Sequence, residues 1–307
     1  MTIIKTISEK LIIEQSEIEL FIKKSPYSYK TFYIKKRNSN KKRKISQPSR
    51  ALKLVQKLVL SDFLQGLPIH KCATAYQKNI GIKDNAKAHV NNEFLLKMDF
   101  SNFFPSIKPE DLIKHYEKYK NSISDADKNS LKKIFFLGNR KNNNIELSIG
   151  APSSPFISNT LLYDFDQKIN VYCSERNITY TRYADDIAFS TNIKNSLYEI
   201  PDVVKKILIA IDYPKLKINK EKTVFTSKKK NRHLTGLVLT NENKLSIGRT
   251  KKREIKTLVF LFAKKSLDEE KSLYLRGYIS YISDVDPEFY SSLVKKYGIQ
   301  TLLEIKA

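Results

Sequence analysis

Two adjacent carboxylates, Asp185 and Asp186, stand between short β-patterned stretches, Thr179-Tyr180-Thr181-Arg182 before and Ile187-Ala188-Phe189-Ser190 after. That placement puts them at the tip of a hairpin. Adjacent acids at a turn are often no more than turn formers, because Asp tolerates the backbone geometry. Here the flanks are apolar and aromatic, so the turn should lie against a core. Paired like charges are costly there unless a cation neutralises them. A third acid, Asp99, ends the apolar stretch Leu95-Leu96-Lys97-Met98 and runs into Phe100, Ser101, Asn102, Phe103 and Phe104. Brought together, the three supply oxygen-only ligands for two hard divalent cations. Such ions, roughly 3.5–4 Å apart, clamp the attacking and leaving oxygens of an in-line phosphoryl displacement. Mg²⁺ suits the site, with Mn²⁺ as a substitute, because it keeps waters and borrows ligands from substrate phosphates. The chemistry implied is nucleotidyl transfer or nuclease cleavage.

The charge of the chain points the same way. Its 307 residues carry 56 Lys and Arg against 32 Asp and Glu, a formal net charge of +24. A Lys- and Asn-rich composition can produce such a charge without any function, but a field of this strength favours a polyanionic partner. Three separate basic blocks suggest a groove contacted from several sides. They are Lys35 to Lys44, Lys228 to Arg232, and Arg249 to Lys256. The 8 glycines include no GxG, which excludes a Rossmann fingerprint or a P-loop. Two cysteines, Cys72 and Cys173, exclude a disulfide scaffold and a Cys-cluster zinc site. His70, His115 and His233 show no metal-ligand spacing. Apolar runs are far too short for a membrane span, and the N-terminus has no signal-peptide core. The expectation is a cytoplasmic protein with no membrane partner.

The elements that must position these groups can be read from periodicity. The first 24 residues read as one helix, and Leu52 to Leu64 as an amphipathic helix. Tyr27 to Ile34 reads as extended, and Asn38, Ser39 and Asn40 as a basic loop or hairpin tip. Phe94 to Phe100 reads as a strand, as do Ile178 to Arg182, Ile187 to Thr191, Leu234 to Leu239 and Lys244 to Ile247. Helices are expected over Pro109 to Tyr119, Ala126 to Leu137, Ser158 to Tyr172 and Asp202 to Ile211, and from Thr250 almost to the end. Without a βαβ rhythm, the fold class is α+β. Tyr27, Tyr29, Tyr33 and Tyr76 could stack on bases, though buried packing is commoner. Tyr274, Tyr278 and Tyr281 read as one packed face.

Taken in order, these segments resemble the motifs of reverse transcriptases. MDFSNFF (from Met98) is similar to motif A, Gly150-Ala151-Pro152-Ser153-Ser154-Pro155 to motif B, and YADD (from Tyr183) to motif C. Asn219-Lys220-Glu221-Lys222-Thr223 resembles motif D, and Arg43-Lys44-Ile45 with Pro48 the fingers motif. The resemblance implies a right-handed polymerase. Fingers would occupy residues 1–95, a palm of antiparallel sheet plus helices 96–232, and a short helical, RNA-binding thumb 233–307. It also implies roles. Asp99, Asp185 and Asp186 would hold the metals, with the Phe100 carbonyl. Amides of Asn102 and Phe103 would hold the triphosphate. Arg43, Gly150 and Ala151 would complete the dNTP site, Phe104 would reject a ribose 2′-OH, and Lys222 would protonate departing pyrophosphate. Ile149 departs from the Gln that many members carry, and it cannot hydrogen-bond the sugar region.

A narrower resemblance is to retron reverse transcriptases. Asn85-Ala86-Lys87-Ala88-His89 fits their NAxxH signature, and Leu234-Thr235-Gly236 resembles their VTG motif. This implies Asn85, His89, Arg232, Thr235, Gly236, Arg249, Lys251, Lys252 and Arg253 as RNA-binding residues. It implies a cognate noncoding RNA (msr-msd) as primer and template, and a branched RNA–DNA product (msDNA). An effector or toxin protein would be the partner in antiphage defence. With nothing after the thumb for an RNase H domain, template removal would fall to a host RNase H. The alternatives are a group II intron-like reverse transcriptase, expected to carry a longer C-terminal extension, and a scaffold holding msDNA and effector.

Overall fold

The computed structural model describes residues 2–35, 42–140 and 144–307. The basic tip expected at residues 38–40 lies outside them, as do Lys36, Arg37 and Lys41. Helices α1 (Ile3–Leu11) and α2 (Gln15–Lys24) replace the single N-terminal helix expected. The break falls at Ile12, whose φ of 56° is left-handed. Reversing the chain there lets Ile3, Ile7, Ile18 and Ile22 face one core, which a continuous helix could not do. Strands β1 (Tyr29–Lys35) and β2 (Lys42–Pro48) pair antiparallel, followed by α3 (Arg50–Val59) and the short α4 (Ile82–Lys87).

The centre is β3 (Phe94–Ser101). It is followed by α5 (Phe103–Ser106), α6 (Pro109–Tyr119), α7 (Asp125–Phe135) and a small hairpin of β4 (Phe136–Gly138) and β5 (Ile145–Leu147). Next come α8 (Ser154–Leu161) and α9 (Tyr163–Ser174), which divide the one helix expected over residues 158–172. The hairpin β6 (Thr179–Tyr183) and β7 (Asp186–Thr191) leads to α10 (Ile200–Ala210), β8 (Lys217–Ile218) and β9 (Val224–Ser227). Strand β3 pairs with β7 on one side and with β8 and β9 on the other, and every one of these pairs is antiparallel. The outer edge of β6 is covered by the chain at residues 72–74.

Side chains alternate across this sheet. Leu96, Met98, Phe100 and Phe189 enter the large core with Phe165 and Ile169 of α9. Leu95 and Ala188 face the other way, into a second core with Ala86 of α4 and the C-terminal helices. Asp99 and Asp186 share that second face by the same alternation.

The segment expected as one strand, Leu234 to Leu239, is instead a hairpin of β10 (Arg232–Leu234) and β11 (Leu237–Leu239), flanked by β12 (Leu245–Ser246). Thr235 and Gly236 form its turn at φ 46° and 86°. Positive φ at both central residues suits the right-handed twist of the flanking strands. Helices α11 (Arg249–Ala263), α12 (Glu269–Val285), α13 (Pro287–Tyr297) and α14 (Ile299–Lys306) complete the chain. The antiparallel sheets and packed helices make the fold α+β. No helix among the described residues is long and apolar enough to cross a membrane.

Candidate active site

The strand register does the first positioning. Asp99 on β3 lies directly opposite Asp186 on β7. Asp185 sits in the two-residue turn between Tyr183 and Asp186, after Ala184 at φ 58°. The turn is tied down by Phe100 N donating to Asp185 O at 3.1 Å, and Asn219 N donates to Asp99 O at 2.8 Å. Three chain segments therefore meet at three carboxylates.

Their electrostatics is that of crowded like charge. Burial, then Asp185 and Asp99, pushes the Asp186 carboxyl up to about 6. Burial, then Asp99, raises Asp185 as well. Lys222, on a 3₁₀ turn before β9, donates to Asp99 Oδ2 at 2.7 Å. Burial pulls its ammonium down, but the bond to Asp99 and the charges of all three acids outweigh it and raise the lysine overall. The lysine is therefore held protonated.

Among the described residues, no three His, Cys, Asp or Glu side chains form a ready-made metal cage. The donors still suit a hard cation: oxygen only, and mutually repelling. Mg²⁺ sites commonly use one or two carboxylates plus substrate phosphates rather than an all-protein cage. Asp99, Asp185 and Asp186 are the residues that would hold it.

Beside them lies a cavity of about 370 Å³ lined by Tyr76, Phe104, Ile149, Gly150 and Ala151. Phe104 is half-buried on its wall. Phe103 instead stacks on Phe100 (5.7 Å, 14°) within the core, and Asn102 begins α5 at φ 48°. Gly150 has φ 122°, and a Cβ there would meet Ser46 O and Ile45 Cγ2, both at 3.0 Å. Only glycine lets the motif B loop dock this closely on β2, where Ser46 N donates to Ile149 O at 2.7 Å. Exposed Arg43 of β2 lowers Asp185 electrostatically, so its charge is felt at the carboxylates.

Tyr76 at this wall is a residue that sequence reasoning placed only among possible base-stackers. Its φ of 62° is unusual for a bulky residue, and nothing in residue type signals it. Lys97 was also missed. It lines a small cavity of about 150 Å³ with Asp186, His233, Thr235 and Gly236.

Three residues expected to touch RNA lie inside the protein. Asn85, His89 and Arg232 are each at most 1% exposed. Thr181 Oγ1 donates to Asn85 Oδ1 at 2.7 Å and so accepts from His89 Nε2–H, also at 2.7 Å. Asn92 Nδ2 donates to Ser190 Oγ, which then donates to His89 Nδ1, both at 2.7 Å. Burial pushes His89 down to about 3, so it is a neutral hub. Arg232 donates to the carbonyls of Asn92 and Thr240, locking β10 to the chain before β3. Such burial corrects the expectation of direct contact, because these side chains have no surface left for a nucleic acid.

Two lysines of α11 are also engaged. Lys251 donates to Glu254 and Tyr274, and its ammonium lies 5.0 Å from the Tyr278 ring centroid. Lys252 pairs with buried Asp286 at 2.8 Å. Arg249 and Arg253 are exposed, as is Gly236, around whose missing Cβ the space is open. Thr235 donates to Ile82 O at 3.3 Å.

Comparison with known proteins gives the family. The family described as reverse transcriptase (RNA-dependent DNA polymerase) matches residues 34–239. The chain is 43% identical to the Retron Ec83 reverse transcriptase of Escherichia coli, over 94% of either chain. It is 34% identical to the Retron Ec73 reverse transcriptase of the same organism, over 90% of this chain and 89% of that one. A solved foamy viral protease-reverse transcriptase bound to double-stranded DNA aligns at TM-score 0.47 and 15% identity, covering 91% of this chain and 43% of that one.

Proposed function

This chain belongs to the reverse transcriptase family and, within it, to the retron enzymes, and on that premise we propose that it copies a cognate structured noncoding RNA, serving as primer and template, into a branched RNA–DNA. The enzyme is an RNA-directed DNA polymerase, and its partners are RNA and DNA. The finer reading rests on one observation above all. Asp99 and Asp186 oppose each other in register beside Asp185, with the ammonium of Lys222 on Asp99.

In this reading fingers, palm and thumb follow the divisions at residues 95 and 232. The three aspartates would hold two Mg²⁺ ions, which would supply charge neutralisation at the transferring phosphate. Arg43 and the amides of Asn102 and Phe103 hold the triphosphate, against the loop of Gly150 and Ala151. Phe104 closes the pocket at the sugar, and Lys222 delivers a proton to departing pyrophosphate. Arg249 and Arg253 grip phosphates, and Thr235 with Gly236 meets the RNA backbone. An effector protein would join the product in antiphage defence, and a host RNase H would trim the template.

Primer extension tests the core of this reading. Asp185→Asn should lower synthesis by about 10³-fold or more while primer–template binding persists, since the metals supply most of the charge stabilisation. Wild-type extension by that variant would remove the carboxylates from the mechanism. Phe104→Ala should raise the ribonucleotide-to-deoxynucleotide ratio roughly 10–100-fold, measured in competition. An unchanged ratio would place the sugar discrimination elsewhere in the cavity. Sequencing the nucleic acid that co-purifies, before and after RNase and DNase, tests the branched product.

A further inference from the structure

Arg182, the penultimate residue of β6, lies two residues before the Ala184-Asp185 turn, yet its side chain points away from the acids. Alternation sends Thr181 and Tyr183 to the carboxylate face and Arg182 to the opposite one, against α8 and α9. Arg182 and Asp166 of α9 are both 0% exposed. All five guanidinium hydrogens are used. Nε donates to Asp166 Oδ1 at 2.9 Å and Nη2 to Asp166 Oδ2 at 2.6 Å. Nη1 donates to Asn159 Oδ1 at 3.0 Å and to Ala184 O at 3.2 Å, and Nη2 reaches Asn159 O at 3.5 Å. A buried ion pair is weak evidence for stability, because well-packed apolar residues often serve as well. What it holds is more telling.

Ala184 is the left-handed residue immediately before Asp185. Asn159 stands on α8, which follows the motif B loop, and its Nδ2 donates to Ala75 O at 2.8 Å, one residue before Tyr76. The Arg182 backbone grips the same segment: its N donates to Cys72 O and its O accepts from Thr74 N, both at 2.8 Å. One side chain, separated from the substrate by the sheet, thus ties the acid-bearing turn to the wall of the nucleotide cavity.

We propose that Arg182 is a positioning residue for polymerisation, which with Asp166 and Asn159 holds the Asp185 turn and the Tyr76 wall in one fixed relation. The proposal rests on the reading of Asp185 as a metal ligand, and the Asp185→Asn assay tests that reading independently of Arg182.

The decisive variant is Arg182→Met with Asp166→Leu, which replaces the pair by apolar volume. It should melt within a few degrees of wild type and bind primer–template normally. Its kcat should fall about 10–100-fold, and its Mn²⁺ affinity by calorimetry about tenfold, the effect typical of removing a group that orients a ligand. Wild-type kcat and Mn²⁺ binding in that variant would overturn the proposal. So would a kcat loss fully explained by a lower fraction of active sites at unchanged Mn²⁺ affinity. Should the double variant not fold, Arg182→Lys and Asn159→Ala carry the comparison. Arg182→Lys keeps the charge beside Asp166 but lacks the fork for Ala184 O, and should weaken Mn²⁺ binding. Asn159→Ala keeps the ion pair but frees Ala75, and should raise the KM for dNTP several-fold with Mn²⁺ binding little changed. Wild-type values for both would sink the idea.

Discussion

Two hairpin turns approach one another across the carboxylate face, and they are built to opposite ends. Each has two central residues and holds a non-glycine residue at positive φ: Ala184 at 58° in the first, Thr235 at 46° in the second. The first turn gathers like charges, and burial with neighbouring acids raises both Asp185 and Asp186. Around the second, the polar side chains nearest the turn are paired. Thr235 donates to Ile82 O, and Asn85 behind it joins a closed chain of hydrogen bonds through Thr181 to His89. A small cavity lined by Lys97, Asp186, His233 and Gly236 lies between them. Backbone strain is thus common to both, while unsatisfied charge belongs to the first alone. Strain marks a position whose surroundings over-determine it. Unsatisfied charge marks where a cation and a phosphate are wanted.

The largest test of that contrast separates activity from stability in one residue. Asp186→Asn should remove most polymerisation, by about 10³-fold. The same change should stabilise the metal-free protein, because it removes a repelling charge that folding has to accommodate. Asp186 keeps solvent contact, so screening limits the gain to about 1 kcal/mol, or roughly 1.5 °C in Tm for a chain of this size. A fall in Tm without added metal would mean that the first turn is held together by its acids rather than strained by them.

The second turn should respond to a smaller chemical change and in a different assay. Thr235→Val keeps the β-branch, and so the cost of positive φ, but removes the hydroxyl. Self-primed synthesis on the cognate RNA should fall about tenfold, the worth of a hydrogen bond or two, while extension of an annealed generic primer stays near wild type. Equal losses on both substrates would make Thr235 a purely structural turn residue, and the contrast would then be one of charge only.

The three aspartates and the hairpin around two of them were legible in the sequence because the pattern is short. A period of two on either side of Asp185 and Asp186 is enough to place a turn. Asp99 joins them in the sequence by its place at a strand end and by motif resemblance, but its register opposite Asp186 is not legible there, since pairing across about 90 residues leaves no local trace. Asn85, His89 and Arg232 show the limit more sharply. A polar side chain has the same type whether it meets RNA or fills a core, and what decides is its partners. For His89 these are Thr181 and Ser190, on two different strands. Small hydroxyl residues alternating on β6 and β7 were the available signal, but only a known sheet face gives them meaning. The break at Ile12 was hidden too, because an unbroken helix satisfies the same local periodicity; only the shared core of Ile3, Ile7, Ile18 and Ile22 demands the reversal.

The last expected effect concerns that core network, and it appears in stability alone. His89 is fully buried and neutral, its Nε2–H given to Thr181 and its Nδ1 accepting from Ser190. Burial holds it down to about 3, against about 6.5 in an unfolded chain. Above pH 6.5 the ring is neutral in both states, and the network contributes fully. Below it the unfolded chain takes up a proton that the folded one refuses, so stability falls as pH drops through the unfolded value and keeps falling toward the folded one. Between pH 7.5 and 5 the loss from this residue is about 2 kcal/mol. His115, pushed down to about 4 by burial, acts in the same sense and is present in every variant compared, so it cancels in a difference. Urea denaturation of wild type and His89→Gln at the two pH values isolates the contribution. The variant should be less stable at pH 7.5, having lost part of the network, yet should lose about 2 kcal/mol less on acidification than wild type. Equal acid losses in the two proteins would mean that His89 takes a proton while folded. The second turn would then rest on a charged group, like the first.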